Sequence, residues 1–170
     1  ITEGLAIKTG NARFAYDSYR RFISMFADVV MGVDGQKFEH EIHRYKAAHG
    51  KTFDVDMSAQ DWQEIIRIYK TLVDFPEDPF TQLKMAVEAV FMSWHTPRAI
   101  VYREMANIPD TLGTAVTVQA MVFGNFGDDS GSGVAFTRNP STGEHLFFGE
   151  FLFNAAGEDV VRVVAGLGGQ

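Results

Sequence analysis

The stretch Thr114-Ala115-Val116-Thr117-Val118-Gln119-Ala120-Met121-Val122-Phe123 separates two kinds of pattern along the chain. One face of this stretch carries Thr114, Val116, Val118, Ala120 and Val122, and the other carries Ala115, Thr117, Gln119, Met121 and Phe123. A period of two is typical of a β-strand. Before this stretch, apolar residues recur at helical spacing. The sequence therefore predicts an α+β protein with a helical subdomain over residues 1–110, a β subdomain over 111–165 and a flexible tail at 166–170.

Helix starts in the first part are marked by capping residues. Ser58-Ala59-Gln60-Asp61 is a capping box, in which the hydroxyl and the carboxylate three residues later satisfy free backbone N–H groups. Asp78-Pro79 and Thr96-Pro97 each place a capping side chain before a proline at the first helical position. Two earlier helices are predicted over residues 11–32 and 36–49.

The predicted helices have one apolar face each, so we expect these faces to pack against one another. On residues 11–32 that face is predicted to hold Phe22, Met25, Phe26, Val29 and Val30. Trp62 and Trp94 are predicted to lie in the core, and Arg20 and Arg21 on a solvated face. His40 and His43 are not at zinc-binding spacing and are assigned to a solvated helix.

Further strands are predicted at residues 133–138 and 146–154, with 160–164 as a candidate fourth strand. Glycine-rich residues 124–132 and the turn at 139–143 connect them. We therefore expect an antiparallel β meander after the helical subdomain.

Composition excludes several classes of function. The 22 acidic and 15 basic residues give a net charge of -7, and no Lys/Arg stripe is present, so we expect no nucleic-acid partner. Absence of cysteine excludes disulfides, thiolate zinc sites and a cysteine nucleophile within these residues. No apolar stretch reaches the ~20 residues of a membrane helix. The start at Ile1 has no leader, so we expect a piece of a longer, soluble intracellular polypeptide of unknown compartment.

The segment 124–133 is the first candidate for ligand contact. Its glycines would let backbone N–H groups curl around an anion such as phosphate. However, Asp128 and Asp129 would repel a phosphate, and the segment matches neither a P-loop nor a dinucleotide fingerprint. From the residues alone, a plain hairpin loop and a phosphate lid both remain open.

Three carboxylates form a second candidate group. Glu150 lies on a predicted strand, and Glu158 and Asp159 follow it. They could hold Mg²⁺ or a sugar hydroxyl, or they could be solvated surface groups. Glu150 is predicted to point away from Phe151 and Phe153.

Three long runs of sequence carry the most specific signal: residues 11–22 (NARFAYDSYRRF), 113–125 (GTAVTVQAMVFGN) and 131–144 (GSGVAFTRNPSTGE). They closely resemble the N-terminal region of pyruvate, phosphate dikinases. The likeness extends from about residue 4 to residue 161. It implies part of an ATP-grasp-like nucleotide-binding domain. It also implies an enzyme that interconverts ATP, phosphate and pyruvate with AMP, diphosphate and phosphoenolpyruvate by way of a phosphohistidine on another domain.

The resemblance also implies roles for individual residues. Gln119, Met121 and Val122 would meet adenine; Gly131, Ser132 and Gly133 would cover the phosphates; Glu150, Glu158 and Asp159 would lie nearby as polar groups; Arg20 or Arg21 is a weaker candidate. No catalytic residue and no metal ligand is assigned within this chain. The implied cofactor is ATP with Mg²⁺, whose carboxylate ligands are expected outside these residues.

Other parts of such an enzyme are expected elsewhere in a longer polypeptide. They are a phosphate-gripping Lys and Arg, an acidic pair with a Gln-x-Arg motif, the phosphohistidine domain and the pyruvate-binding barrel. A homodimer of the full-length enzyme is a further expectation. We expect the isolated chain to be inactive, because little in it would offset charge on a transferring phosphoryl group. The alternative is a non-enzymatic helical interaction module with a β scaffold.

Overall fold

The computed structural model describes residues 2–161, in two compact units that divide between residues 119 and 120. The first unit contains α1 Thr2–Thr9, α2 Ala12–Val29, α3 Gln36–Ala48, α4 Ala59–Leu72, α5 Pro79–Ser93 and α6 Pro97–Ala106, with a 3-10 helix Asp54–Asp56 before α4. The second contains β1 Gly131–Phe136, β2 Phe148–Phe153 and a helical turn at 157–161. The predicted α+β class is confirmed, and the proposed subdomain boundaries stay a prediction.

The capping residues start their helices as predicted. Ser58 accepts a hydrogen bond from the Asp61 backbone N–H at 3.2 Å and donates its own N–H to the Asp61 carboxylate at 2.8 Å. Asn11, Asp78 and Thr96 likewise accept a backbone hydrogen bond from three residues further on. Each cap satisfies an N–H that a helix start leaves free, so these boundaries follow from local sequence.

The core of the first unit lies between α2, α3 and α4. Its buried members are Ile23, Phe26, Ala27, Phe38, Ile42, Met57, Trp62, Ile65, Ile66, Tyr69, Val73 and Phe75. Phe75, which follows α4, packs against α2. Its ring lies 5.5 Å from the ring of Phe26 and 5.6 Å from that of Phe22. None of the helices among residues 2–161 is long and apolar enough to cross a membrane.

Three predictions about helical faces are wrong. Met25 and Val29 are 55% and 70% exposed, because α2 turns a different side, including Asp17 and Arg20, toward the interior. Trp94 is only half-buried, with the guanidinium of Arg103 stacked 4.1 Å from its ring centroid. α5 contains no buried residue. No helix was predicted over α1, none of whose residues is buried.

Two predicted strands are also corrected. Residues 114–123 have no regular secondary structure, so the expected meander is a two-stranded sheet within residues 2–161. Val160 and Val161 belong to the helical turn at 157–161 rather than to a strand. The remainder of the candidate fourth strand and the expected tail at 166–170 lie outside the described residues. A strand needs a hydrogen-bonded neighbour, which an alternating pattern alone does not supply.

The predicted hairpin itself is confirmed. β1 pairs antiparallel with β2, from Gly131 opposite Phe153 to Phe136 opposite Phe148. The connecting turn is held by Asn139, whose side-chain oxygen accepts the backbone N–H of Ser141 at 2.9 Å.

Candidate functional site

The two faces of the hairpin differ in character. Ser132 lies opposite Leu152, and Val134 lies opposite Glu150; all four are half-buried. Phe151 is exposed on the other face, as is Phe153, opposite the two glycines of β1. The predicted direction of Glu150, away from both phenylalanines, is confirmed, and the structure brings Ser132 and Glu150 to one face.

Glycines in β1 are explained by the close approach of β2. A Cβ atom on Gly131 would lie 2.8 Å from the carbonyl oxygen of Leu152, and one on Gly133 would lie 2.9 Å from that of Glu150. Both residues lie within β1. The strand was predicted to start at residue 133, which placed Gly131 in the preceding loop. Hairpin packing therefore requires glycine here whether or not a ligand binds.

The loop before β1 is attached to the end of β2. A Cβ on Gly124 would lie 2.2 Å from the Ser132 hydroxyl, and the Gly124 carbonyl accepts the Ala155 N–H at 3.0 Å. Asn154 donates its backbone N–H to Ser130 at 2.7 Å and its side-chain amide to Asp128 at 3.3 Å. Sequence reasoning did not select Asn154 as a site residue. The one indication in the sequence is the residue type, because asparagine tolerates the left-handed φ of 45° that Asn154 adopts.

A cavity of about 310 Å³ lies beside β2. Its lining residues are Gly149, Glu150, Phe151, Leu152 and Val160. This volume is at the lower end of the range for small-molecule pockets. The side chain of Val160 is buried, and the adjacent Asp159 carboxylate accepts the Ala156 N–H at 2.9 Å. Asp159 thus caps the turn that carries Val160 to the cavity, while Glu158 is exposed.

The three residues expected to meet adenine lie in the segment without regular structure. Gln119 is exposed at the end of the first unit. Met121 and Val122 begin the second unit and are 71% and 95% exposed.

The charge of residues 120–161 opposes binding of an anion by these residues alone. Residues 120–161 contain six carboxylates and one arginine, Arg138. Arg138 donates to the Gly143 carbonyl at 3.3 Å. Among residues 2–161, no three His, Cys, Asp or Glu side chains are grouped so that they could hold a metal ion. The residues present do not fit a Mg²⁺ site by themselves.

Arg20 and Arg21, the weaker phosphate candidates, are engaged in ion pairs. Both contact Asp17, at 2.9 Å and 3.2 Å, and both contact Asp54, which also pairs with Lys46. Arg20 is buried, with its guanidinium 4.5 Å from the ring centroid of Trp62. The expected solvated face is therefore wrong, because carboxylates from two segments partner both arginines.

Electrostatics in this cluster are dominated by its cations. Burial would raise the pKa of Asp54, but the charges of Arg20, Lys46 and Arg21 and the Lys46 hydrogen bond outweigh burial and lower it to about 2. The cluster joins α2, α3 and the 3-10 helix, and it has the character of a structural ion-pair network.

Comparison with protein families identifies the class. Residues 23–166 match the sequence model of the family described as pyruvate phosphate dikinase, AMP/ATP-binding domain. The match covers most of the chain and includes the hairpin, the loop before it and the residues lining the cavity. The chain belongs to this family.

Individual relatives agree with the family match. The pyruvate, phosphate dikinase of Clostridium symbiosum is 57% identical over 169 residues, which cover 95% of this chain and 19% of that protein. Pyruvate, phosphate dikinase 1, chloroplastic, of Arabidopsis thaliana is 54% identical over 167 residues, and pyruvate, phosphate dikinase of Rhizobium meliloti (strain 1021) is 57% identical over 158. The chain spans less than a fifth of the length of these relatives.

Proposed function

We propose that this chain forms part of the ATP-binding phosphotransferase region of a pyruvate, phosphate dikinase. In the longer polypeptide, that enzyme converts ATP, phosphate and pyruvate to AMP, diphosphate and phosphoenolpyruvate by way of a phosphohistidine on another domain. The observation that carries this proposal is the match of residues 23–166 to an AMP/ATP-binding domain family. It favours an enzyme over a non-enzymatic interaction module. The phosphohistidine domain, the pyruvate-binding barrel and a homodimer belong to the same proposal.

Within this function, adenine is proposed to contact Gln119, Met121 and Val122. Apolar side chains sandwich such a ring, and exposed Met121 and Val122 offer apolar surface for it. Gly131, Ser132 and Gly133 are proposed to lie along the phosphates, and Glu150, Glu158 and Asp159 to hydrogen-bond the ribose or lie near the phosphates. The position of Ser132 and Glu150 on one face of the hairpin supports a shared role for these two.

The proposed site is only half of a phosphate-binding site. A triphosphate is strongly anionic, and six carboxylates against one arginine in residues 120–161 would repel it. Cations that offset this repulsion must therefore come from groups outside these residues, including Mg²⁺ bound to ATP. We expect the isolated chain to be inactive in phosphoryl transfer, because that reaction depends on positioned positive charge.

Calorimetric titration with Mg-ATP and Mg-ADP tests the proposal. The isolated chain should bind at millimolar concentration or not at all, and a longer polypeptide that contains it should bind at least ~10-fold more tightly. In the longer polypeptide, Met121→Ala should weaken ATP binding roughly 5- to 20-fold through lost apolar contact. Met25→Ala, on α2, is the matched control and should not change the affinity.

The two levels of the proposal have separate outcomes. A longer polypeptide that binds neither nucleotide contradicts the function. Tight binding that is insensitive to Met121→Ala contradicts the adenine assignment and leaves the function standing.

A further inference from the structure

The loop before β1, from Gly124 to Ser130, is held at three points by the two residues that follow β2. The backbone N–H of Asn154 donates to the Ser130 carbonyl at 2.7 Å, and that of Ala155 donates to the Gly124 carbonyl at 3.0 Å. Between these two points, the side-chain amide of Asn154 donates to the Asp128 carboxylate at 3.3 Å. The end of β2 therefore fixes both ends of the loop and a point within it.

The side chain of Asn154 adds nothing evident to the stability of the hairpin. The residue has a left-handed φ of 45°, which glycine adopts freely and which asparagine tolerates at some cost. Its Oδ1 atom is buried and accepts no hydrogen bond from any group among residues 2–161. A buried acceptor without a partner costs free energy. Glycine at this position would avoid both costs, so the amide requires another explanation.

The contact with Asp128 supplies that explanation. If the amide of Asn154 were rotated by 180°, Oδ1 would face the Asp128 carboxylate, and two acceptors would lie against each other. Donation by Nδ2 to the carboxylate therefore fixes the orientation of the amide and leaves Oδ1 unpaired. Local costs of this kind are concentrated at functional sites, where a side chain is retained for what it positions. What the amide holds here is the loop.

The position of this loop matters for an anionic ligand. The loop continues directly into residues 131–133, which are proposed to lie along the phosphates of ATP. It carries two exposed carboxylates, Asp128 and Asp129, and a negative charge turned toward a phosphate would repel it. A loop that is tied at Asp128 cannot turn that carboxylate freely toward the ligand.

We propose that Asn154 is a positioning residue for the phosphates of the nucleotide, acting through Asp128. Its amide holds the loop before β1 in a conformation that keeps the Asp128 carboxylate away from the phosphates. This inference rests on the proposed function and adds to it a residue that does not itself contact the nucleotide. Because the effect is electrostatic, it concerns a nucleoside triphosphate and not a nucleoside.

Nucleotide affinity of a longer polypeptide that contains the chain tests this role, by calorimetric titration with Mg-ATP and by competition with adenosine. Asn154→Gly keeps the left-handed backbone and removes only the amide. It should weaken binding of Mg-ATP about 3- to 10-fold, the range for one hydrogen bond, and leave binding of adenosine unchanged. Hydrogen exchange of the amides that join β1 and β2 should change by less than ~3-fold, because the hairpin does not depend on the amide.

Exchanging the charges of the pair gives a sharper test. Asn154→Asp sets two carboxylates against each other and should weaken binding of Mg-ATP by about 10-fold or more. Adding Asp128→Asn restores an amide–carboxylate pair with the two roles reversed and should return the affinity to within about 3-fold of the unaltered protein. Adding Asp129→Asn instead restores the same net charge without the pair. This matched control should leave most of the loss in place.

Four results would overturn the inference. Unchanged affinity for Mg-ATP in both Asn154→Gly and Asn154→Asp would mean that the amide does not position the loop. Equal losses for Mg-ATP and adenosine would mean that Asn154 supports the whole site. Equal rescue by Asp129→Asn would mean that net charge matters and pairing does not. Loss of exchange protection between β1 and β2 in Asn154→Gly would give the amide a structural role.

Failure of the proposed function itself has a different signature. An unaltered longer polypeptide that binds neither Mg-ATP nor adenosine would contradict that function, and the role of Asn154 would be rejected with it. A polypeptide that binds both ligands but gives any of the four results above retains the proposed function and loses only this inference.

Discussion

Asp54 is the residue at which charge contributes most clearly to stability. Its carboxylate pairs with Arg20, Arg21 and Lys46. Burial alone would raise its pKa, but these cations lower it from 3.8 to about 2. A group whose pKa is lower in the folded state adds stability above its unfolded pKa, and this stability is lost as the pH falls toward the folded value. We expect the free energy of unfolding to fall by about 2 kcal/mol between about pH 5 and pH 2 through Asp54. Denaturant titrations followed by tryptophan fluorescence across this range measure it.

The Asp54→Asn variant separates this effect from general acid unfolding. Removing the carboxylate leaves two largely buried arginines without one of their partners, so we expect a loss of about 3 kcal/mol at pH 7 and a shallower pH dependence. The same substitution at exposed Asp74 should change neither quantity. Equal pH dependence in the two variants would show that Asp54 does not carry the effect.

This cluster shows why the side-chain environment was harder to predict than the helix. Arg20 and Arg21 point about 100° apart on an isolated helix, which favours two solvated side chains. Asp54 contacts both from 34 and 33 residues away, as part of a 3-10 helix that has no periodic signal. Contacts of such sequence separation depend on the whole packing of the unit and are invisible to a local pattern.

At the scale of an element, the hairpin depends on the absence of a side chain at Gly133. A methyl group there would lie 2.9 Å from the Glu150 carbonyl oxygen and 3.0 Å from the Cβ of Phe151. β1 and β2 would have to separate, and we expect Gly133→Ala to destabilise the hairpin by about 1–3 kcal/mol. Exchange of the amides that join the two strands measures this loss directly.

Gly157→Ala is the matched control for the hairpin. Nothing lies within 4 Å of a Cβ atom at Gly157, which belongs to the helical turn 157–161. Alanine is also the better helix former, so exchange of the strand amides should stay the same or slow slightly. Equal loss of protection in both variants would argue against the steric explanation.

Elements defined by local contacts were predicted well, and those that need distant partners were not. The start of α4 follows from the contact of Ser58 with Asp61 three residues away, which the sequence displays directly. The hairpin was predicted for a similar reason, because its two strands are close in sequence and the connection between them contains the turn at Asn139. Residues 114–123 have an equally clear alternation, yet a strand requires a neighbour that this pattern does not supply.

At the scale of the whole molecule, the candidate site could be predicted mainly from the resemblance to a known family. Contiguous runs such as residues 131–144 identified the family, and residues 23–166 match it. From the residues alone, a phosphate lid at 124–133 stayed one of two open alternatives and no adenine contact was predicted, because the cations that a triphosphate requires are absent from residues 120–161 apart from Arg138. An incomplete site gives no convergent arrangement of charges from which a ligand could be inferred.

The two units differ greatly in how much apolar surface each buries. The first has a core of twelve buried residues from α2 to Phe75, whereas the apolar residues buried in the described part of the second are Ala155 and Val160. Local stability follows buried apolar contact. We therefore expect amides of α2 and α4 to exchange more slowly than the amides that join β1 and β2, which native-state hydrogen exchange measures in the isolated chain.

Ile65→Ala tests whether this core is the cause of the slower exchange. Ile65 is completely buried in α4, so its truncation leaves a cavity and should lower the protection of α2 and α4 amides by about 2–5 kcal/mol. Leu83→Ala on α5, where the side chain is 44% exposed, should cost less than ~1 kcal/mol in the isolated chain. Slower exchange in the hairpin than in α4 would contradict the expected order. Similar losses from Ile65→Ala and Leu83→Ala would mean that burial in the core between α2, α3 and α4 is not the cause of the slower exchange.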